Sequence, residues 1–556
     1  MARAPETKLC DAMIDSAGAI CSSNLEHYFR GQSENRQIMT AGETGGSVEQ
    51  ALEELQRRSD KARAMGSPKR LSERREAGIL NARERLDHLL DPGSFSEIGL
   101  HATSHRPEMR ERTPADGKVA GLGRIDGRPV AVVSNDFTVL GASSSVINGK
   151  KIKYVKETAA KRGMPLVMLG ESSGARMPDR MGASGRAILG QDPTEFRRAR
   201  EMPLVSALLG DCYGSSTWYA CMSDYAVMRK GATMAVASSR VTSIAINQEV
   251  DPEELGGWRL HTEKTGLVDN AVGSDAEALD TLRRYLSYMP QHQGVEPPRK
   301  PVPEGSDAQG AKVLEHFPGS ETQVYDSRKI LAALADLDSV FELKPKFGRS
   351  IVTALTRLDG RSVGVIANNP MVRGGAIDVD AMRKATGFIV LCDSFNIPLV
   401  FLVDQPGFLI GVDGEKRWAP GRIINWMGAL SQVTVPRMAL TLRKNYGQAY
   451  LNMGGGRHSD LQAAWPTANY GFMDPRVGVN VLHGLKRDDD PERFDRLVAE
   501  IAEDSSAFAL ASLFEAQAVI DPRDTRRFLI ETLEVLCGGP NGSVGAHHLA
   551  NWPSSF

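Results

Sequence analysis

The chain reads as an α/β protein in which one βαβ-rich unit is used twice. Three observations carry this reading. Residues 124–215 superimpose without a gap on 357–448, an offset of 233, with 20 identities in 92 positions; ordinary residue usage gives roughly five or six. Short β-branched runs alternate with helical patterns in both copies, as parallel strands joined by crossover helices require. A Pro-rich run, 293–305, separates the copies, and its prolines suit neither a helix nor a central strand. The expected organisation is a loose extension over 1–45, a first unit over 46–300 and a second over 301–556.

The elements follow in order. Ile14–Ile20 is a short helical candidate inside the extension. Ser47–Met65 carries Val48, Leu52, Leu55 and Ala62 as a narrow apolar stripe, which predicts a helix. Asn81–Leu90 predicts a second helix, stopped by Asp91-Pro-Gly-Ser. The Asp126-Gly127 turn leads into an alternating strand, Val130–Ser134. Lys153–Lys161 reads as a helix and Pro165–Leu169 as a buried strand. The Gly-rich tail Cys537–Phe556 is expected to be irregular.

Composition narrows the function classes. With 41% apolar and 24% charged residues the chain has the make-up of a soluble globular protein. A net charge of −2 gives no overall attraction for nucleic acid or anionic membrane. No run of 18 apolar residues predicts a membrane span. The six cysteines are scattered without C-x-x-C spacing, which fits reduced thiols. No secretory or transit pattern is read at the N-terminus, so a cytoplasmic protein is expected. No metal-ligand motif such as H-E-x-x-H occurs, and no metal is expected.

Each copy places a glycine-bearing turn directly after a buried strand, at Ser172-Ser-Gly-Ala-Arg176 and Gln405-Pro-Gly-Phe408. Each has a second one further on, Asp211-Cys-Tyr-Gly-Ser-Ser216 and Asn445-Tyr-Gly-Gln-Ala-Tyr450. A strand that turns through glycine into a helix exposes N–H groups at the helix N-terminus, and paired N–H groups can hold an oxyanion. A plain tight turn explains the same glycines. No G-x-S-x-G or other nucleophile motif accompanies them. Donors without a nucleophile suit a reaction whose substrates bring the reactive groups.

Several motifs occur together in order: Ala82-Arg-Glu-Arg85 with Asp91-Pro-Gly-Ser-Phe95, Asn135-Asp-Phe-Thr-Val-Leu-Gly141, Ser173-Gly-Ala-Arg176, and Glu253-Glu-Leu-Gly-Gly257 with His261. Leu391-Cys-Asp-Ser-Phe-Asn-Ile-Pro398, Asp404-Gln-Pro-Gly-Phe408, Tyr446-Gly-Gln-Ala-Tyr450 and Ala464-Trp-Pro-Thr-Ala468 continue the series. From about Val48 to Leu536 the chain resembles the carboxyltransferase (β) subunits of biotin-dependent acyl-CoA carboxylases.

That resemblance implies two tandem crotonase-like (ClpP/crotonase) domains. The N-terminal one would bind acyl-CoA and the C-terminal one carboxybiotin, with the active site between subunits of a hexamer. Matched motif by motif, the first oxyanion hole would be Gly214 and Ser215, and the second Gln448 and Ala449. Gly141, Ala142, Ser173, Gly174, Ala175 and Arg176 would line the acyl-CoA side. Gly407, Phe408, Tyr446, Gly447 and Leu451 would line the carboxybiotin side, with Leu451 where the family tunes acyl size. No Ala-Met-Lys-Met or G-x-x-x-x-G-K-[ST] motif is present. Biotin carrier and biotin carboxylase functions are therefore expected on partner chains.

The sequence departs from the family at informative places. Ser215-Ser216 stands where a second glycine is usual, Gln448 replaces a glycine, and Gly141-Ala-Ser-Ser-Ser145 replaces a Gly-rich loop. Met473-Asp-Pro-Arg-Val-Gly478 replaces Met-Gly-x-x-Gly-Ala. If these positions need φ > 0, each non-glycine costs about 1 kcal/mol or more. Arg176 would meet a CoA phosphate or serve in an ion pair. His261 reads as a site residue or a hydrogen-bonded loop histidine, Trp465 as core, Lys150-Lys151 as a CoA entrance or a solvated helix start, and 487–493 as a solvated charged turn. Rival functions are a biotin-dependent decarboxylase subunit, a non-catalytic acyl-CoA binder, and a biotin-free crotonase-type enzyme using Asp211 or Asp224.

Overall fold

Both copies open on the same hairpin. Asp126 and Gly127 have φ of 50° and 76°, and Asp359 and Gly360 have 52° and 71°. Positive φ at both central residues makes a two-residue hairpin turn whose twist matches that of the strands. The Asp91 carboxylate accepts the two turn N–H groups at 3.0 and 2.8 Å. Asp336 does the same in the second copy at 3.1 and 2.8 Å.

A computed structural model describes residues 47–183, 197, 199–320, 322–539, 544–545 and 547–553. The extension 1–45 and its Ile14–Ile20 helix lie outside the described residues. Packing divides the chain into two compact units, 1–60 and 61–556. The predicted helix over 47–65 is found as Val48–Arg63. Both β-sheets lie in the second unit.

Its first sheet comprises β1 Ser96–Glu97, β2 Lys118–Ile125, β3 Arg128–Asn135, β4 Leu166–Ser173, β5 Leu204–Tyr213, β6 Tyr225–Arg229, β7 Thr233–Ala235 and β8 Asn270–Val272. The order is β1-β2-β3-β4-β5-β6-β8, with β7 beside β5. The second sheet comprises β9 Phe341–Leu343, β10 Ile351–Leu358, β11 Arg361–Asn368, β12 Leu399–Gln405, β13 Arg437–Tyr446, β14 Leu461–Ala464, β15 Asn469–Gly471 and β16 Ala518–Val519. Its order is β9-β10-β11-β12-β13-β14-β16, with β15 beside β13. The first two pairings of each sheet are antiparallel and the rest are parallel. Each sheet lies wholly on one side of the Pro-rich run.

Helices cross over between parallel strands, as the alternating pattern predicted. Four concern the site: α1 Val146–Arg162, α2 Ser215–Met222, α3 Val379–Ser394 and α4 Ala449–Asn452. The long crossover helices α1 and α3 occupy matching places after β3 and β11. The tail expected to be irregular contains a short 3-10 turn, His548–Asn551.

One core cluster holds apolar residues from both copies, among them Leu86, Tyr225, Tyr285, Phe341, Phe388 and Trp426. Tyr225 stacks on Tyr285 at 4.5 Å between ring centroids, and Phe341 of the second copy packs 5.4 Å from Tyr225. Tyr288 donates to the Ser339 carbonyl at 2.6 Å, and Arg357 donates to the Ser287 carbonyl at 2.7 Å. The two copies are thus fused along a shared apolar face.

Lys151 and Lys384 are equivalent at the 233 offset, and both are buried. Lys151 Nζ donates to the carbonyls of Gly99, Ala115 and Lys118 at 2.9, 3.3 and 2.5 Å. Lys384 Nζ donates to those of Lys344, Phe347 and Ile351 at 2.9, 3.1 and 2.8 Å. Three donors meet three acceptors, and each ammonium fastens a crossover helix to the start of β2 or β10. Neither the CoA entrance nor the solvated helix start describes Lys151. Its role is this internal tie.

Burial lowers Lys151 to about 8 and Lys384 to about 7, and it lowers Lys118 to about 7. Unfolded lysine titrates near 10.4. At these three lysines the unfolded chain therefore binds more protons between roughly pH 7 and 10, so their contribution to stability rises with pH, against a smaller opposing one from the buried cysteines, whose pKa burial raises. Urea midpoints are expected to increase from pH 7 to 9, and Lys384→Met is expected to flatten that rise. A midpoint that falls over this interval in the wild type would refute the account.

Candidate active site

The parallel strands β4 and β5, and β12 and β13, end side by side. The crevice beyond such strand ends is where open α/β sheets place ligands. In each pair the register shifts just before the end, between Gly170 and Ser172 and between Val403 and Gln405. Two turns emerge there in each copy.

Gly214 leaves β5 with φ 64° and ψ −124°, a conformation confined to glycine, and α2 begins at the next residue. Gly447 leaves β13 with φ 64°, and α4 begins two residues on. The first N–H groups of a helix have no intrahelical partner. In α2, Thr217 and Trp218 donate to the Gly214 carbonyl at 3.0 and 3.3 Å. The Ser215 and Ser216 N–H groups make no protein hydrogen bond among the described residues. In the second copy Gly447 N–H donates to the Gly471 carbonyl at 3.0 Å, while Tyr450 donates to the Gly447 carbonyl at 3.1 Å. Gln448 and Ala449 are left as donors. The offset equates Ser215 with Gln448 and Ser216 with Ala449, so Ser216 N–H belongs beside the predicted Gly214 and Ser215.

The expected strain at the departures from glycine is absent where it mattered most. Ser215 and Ser216 are helical, and Gln448 has φ −59°. Strain is found at another of those departures, the loop beside the turn, where Ala142, with Leu140, has φ of 48° around Gly141 at 62°. The equivalent Arg373, Gly374 and Gly375 have φ of 52°, 65° and 88°.

Buried ionic contacts hold that loop. Lys118 Nζ donates to the Ala142 carbonyl at 2.8 Å. Asp116 accepts Arg176 Nη1 at 2.6 Å, Asn148 N–H at 3.0 Å, and the Ser145 hydroxyl. Arg176 also donates to Ser143 Oγ and its carbonyl, both at 3.3 Å. The guanidinium is 3% exposed and is the ion-pair form of the sequence alternatives. Two backbone bonds close the join: Ser144 N–H to the Gly174 carbonyl at 2.8 Å, and Arg176 N–H to the Ser144 carbonyl at 2.9 Å. The second copy repeats them with Ile377, Gly407 and Leu409 at 3.1 and 2.9 Å.

Residues 141–145, 173–176 and 214–216 are thus brought together in the first copy. Ser173 and Ala175 are exposed there. Residues 373–377, 407–409 and 446–451 form the second group, with Phe408 packed on the core and Leu451 half-buried. Each group has a buried amide beside its turn. Asn135 Nδ2 donates to the Glu171 carbonyl at 2.8 Å and approaches Ser216 Oγ at 3.4 Å, while its Oδ1 has no partner among the described residues. Gln405 Nε2 donates to Asn445 Oδ1 and the Tyr446 carbonyl at 2.8 and 3.1 Å, and its Oε1 has no partner among the described residues.

Other singled-out residues are structural. His261 Nε2 pairs with the Met234 carbonyl at 2.7 Å and Nδ1 with Thr265 Oγ1 at 3.2 Å. Burial lowers its pKa, and the neutral ring braces β7 behind the first turn. Trp465 is buried and donates to Thr525 Oγ1 at 2.9 Å. Asp224 accepts Leu204 N–H at 2.8 Å, at the opposite end of β5 from Gly214. Asp211 stays near the turn, and burial raises its pKa.

Residues 73–546 match the model of the carboxyl transferase domain family. The chain belongs to that family. It is 35% identical over 504 residues to the carboxyltransferase subunit of propionyl-CoA carboxylase from Haloferax mediterranei, covering 88% of this chain and 96% of that one. It is 33% identical over 517 residues to the methylmalonyl-CoA carboxyltransferase 12S subunit of Propionibacterium freudenreichii subsp. shermanii, covering 90% and 96%. The transcarboxylase 12S crystal structure, a hexamer with methylmalonyl-coenzyme A and methylmalonic acid bound, matches with a TM-score of 0.82 at 31% identity, covering 89% and 97%. The fold of this carboxyltransferase chain is the crotonase-like pair that the sequence resemblance implied.

Breaking one side of a buried ion pair costs about 3–5 kcal/mol. Arg176→Met is expected to lower the urea midpoint accordingly. A variant of wild-type stability with a raised acyl-CoA KM would instead make Arg176 a phosphate contact.

Proposed function

We propose that this carboxyltransferase joins carboxybiotin and acyl-CoA chemistry across its two pseudo-equivalent turns. The first turn takes the thioester carbonyl and the second takes the biotin ureido oxygen. The observation that carries the reading is the pair of strand-to-helix turns, where the N–H groups of Ser215 and Ser216 and of Gln448 and Ala449 have no protein acceptor among the described residues and no nucleophile motif accompanies them. The second group fits a ureido: Gln448 and Ala449 supply donors for its oxygen, and the buried Gln405 amide braces the turn through the Tyr446 carbonyl.

Bound carboxybiotin supplies a carboxyl group as CO2 and a ureido nitrogen that takes the acyl α-proton. This chain's part is positioning and charge stabilisation. The first-turn N–H groups hold the thioester oxygen as charge gathers on it, in a geometry already set by Gly214, so little reorganisation is needed. The buried contacts around Asp116 and Arg176 keep the flanking loop from moving away. Leu451 sets the depth available to the acyl chain. Biotin carboxylase and a biotin carrier on partner chains charge the cofactor. The assembly is a hexamer in which the first turn of one subunit faces the second turn of another, and it works in the cytoplasm. The net reaction is carboxylation; a decarboxylase would use the same groups in reverse.

The direct test is carboxylation of acetyl-, propionyl- and longer acyl-CoAs with the biotinylated partner, ATP and bicarbonate. Turnover of at least one is expected, and turnover of none would refute the reading in favour of a non-catalytic acyl-CoA binder. Losing one oxyanion donor costs about 10²–10³ in kcat. Gly214→Ala and Gly447→Ala are each expected to cause losses of that order, and Leu451→Ala to shift preference toward longer acyl chains.

A further inference from the structure

Three serines, Ser144, Ser215 and Ser216, surround the first turn, and two of them face its mouth. Ser216 is buried, with its hydroxyl turned inward to Asn135. Ser144 and Ser215 are both partly exposed, and their hydroxyl oxygens lie 2.8 Å apart. Ser144 cannot drift, because its backbone N–H and carbonyl are bonded to Gly174 and Arg176. On either side, Ser143 and Ser145 are tied to Arg176 and Asp116.

Two hydroxyls carry two protons, and the bond between them uses one. The other proton has no acceptor among the described residues. A helical Cα–Cβ bond tilts toward the helix N-terminus. Ser215 is the first residue of α2, so its hydroxyl projects into the same space as its own free N–H. One oxygen atom outside the helix can accept from both. The second copy has no such feature: its equivalents of Ser144 and Ser215 are Ile377 and Gln448.

We propose that Ser215 is a catalytic residue through its side chain: its hydroxyl gives the developing enolate oxygen a further hydrogen bond, and Ser144, donating to Ser215 Oγ, is the positioning residue that orients it. The proposal rests on the carboxyltransferase reading of the first turn. When the α C–H bond breaks, its electron pair moves onto the thioester oxygen and the proton leaves to the ureido nitrogen. The Ser215 proton stays on Ser215 and shortens its contact with the new oxyanion. The pair returns to carbon when the C–C bond to CO2 forms. A hydroxyl aimed at that oxygen strengthens in the transition state more than in the ground state, so it acts on kcat.

The variants are Ser215→Gly, Ser215→Thr and Ser144→Ala, assayed in the full complex with its biotinylated partner. Ser215→Gly is expected to lower kcat about 10- to 100-fold with acyl-CoA KM within about threefold, Ser144→Ala to cause a smaller loss, and Ser215→Thr to keep most activity. A second measurement needs no partner: binding of a nitroethyl-CoA thioether, whose nitronate oxygen stands for the enolate oxygen. Ser215→Gly is expected to weaken nitronate binding about tenfold and leave unreacted acyl-CoA binding unchanged. Wild-type kcat and wild-type nitronate affinity in Ser215→Gly would overturn the proposal. If the wild type turns over no acyl-CoA yet the nitronate difference persists, the carboxylase reading fails and the hydrogen bond stands. If Ser215→Gly does not fold, the Thr and Ser144→Ala variants decide by the same two readouts.

Discussion

The site depends on one backbone constraint: a parallel strand must become a helix within a single residue. Gly214 and Gly447 meet it at φ 64°. A residue with a side chain would be strained at Gly214 even though an added Cβ would meet nothing closer than 3.6 Å, so conformation and not space demands glycine there. Once the turn is made, the next residues are helical and their N–H groups have no protein acceptor among the described residues. Those residues are therefore free to vary in side chain. The two copies use that freedom differently, with Ser215-Ser216 in one and Gln448-Ala449 in the other.

A fixed turn is useful only if its surroundings are fixed as well. In the first copy Glu171, at the end of β4, is neutralised by Arg74 and Arg85, each at 2.7 Å. The equivalent acid, Asp404, is neutralised by Arg443 at 3.0 Å. Arg443 occupies the position of Gly210, where a Cβ would come within 2.1 Å of Glu171 Oε1. One acid-and-cation requirement is met from outlying helices in one copy and from the neighbouring strand in the other. Buried pairs of this kind add little net stability, but losing one partner is costly. They therefore act as locks on geometry, which is what a site of backbone donors needs.

Much of this was legible in the sequence. The gapless offset of 233 carried the two sheets, and Asp126-Gly127 carried the hairpin that begins each. The glycine turns after buried strands pointed to free helix N-termini by themselves. Lys151 was misjudged because a charged residue early in a helix ordinarily faces solvent. Its partners are carbonyls, which leave no charge pattern to read. The identity of Lys151 with Lys384 was the available signal: a surface lysine has no reason to recur at the same place in a diverged copy. Arg176 stayed ambiguous because its partner, Asp116, lies 60 residues away. The shared apolar face was also invisible, since hydrophobic patterning marks a face as buried without saying against what.

The asymmetry between the copies is the most informative residue-level fact about the chemistry. A thioester enolate concentrates charge on one oxygen as the reaction proceeds. A ureido oxygen has two flanking nitrogens to share its charge. Donors of equal strength would serve these two carbonyls unequally. The copy proposed to face the enolate carries two mouth-facing hydroxyls beside its N–H pair. The copy proposed to face the ureido has Ile377 and Gln448 in their place. The same turn occurs twice, and on the proposed roles its neighbouring side chains differ in the direction that the negative charge at each carbonyl requires.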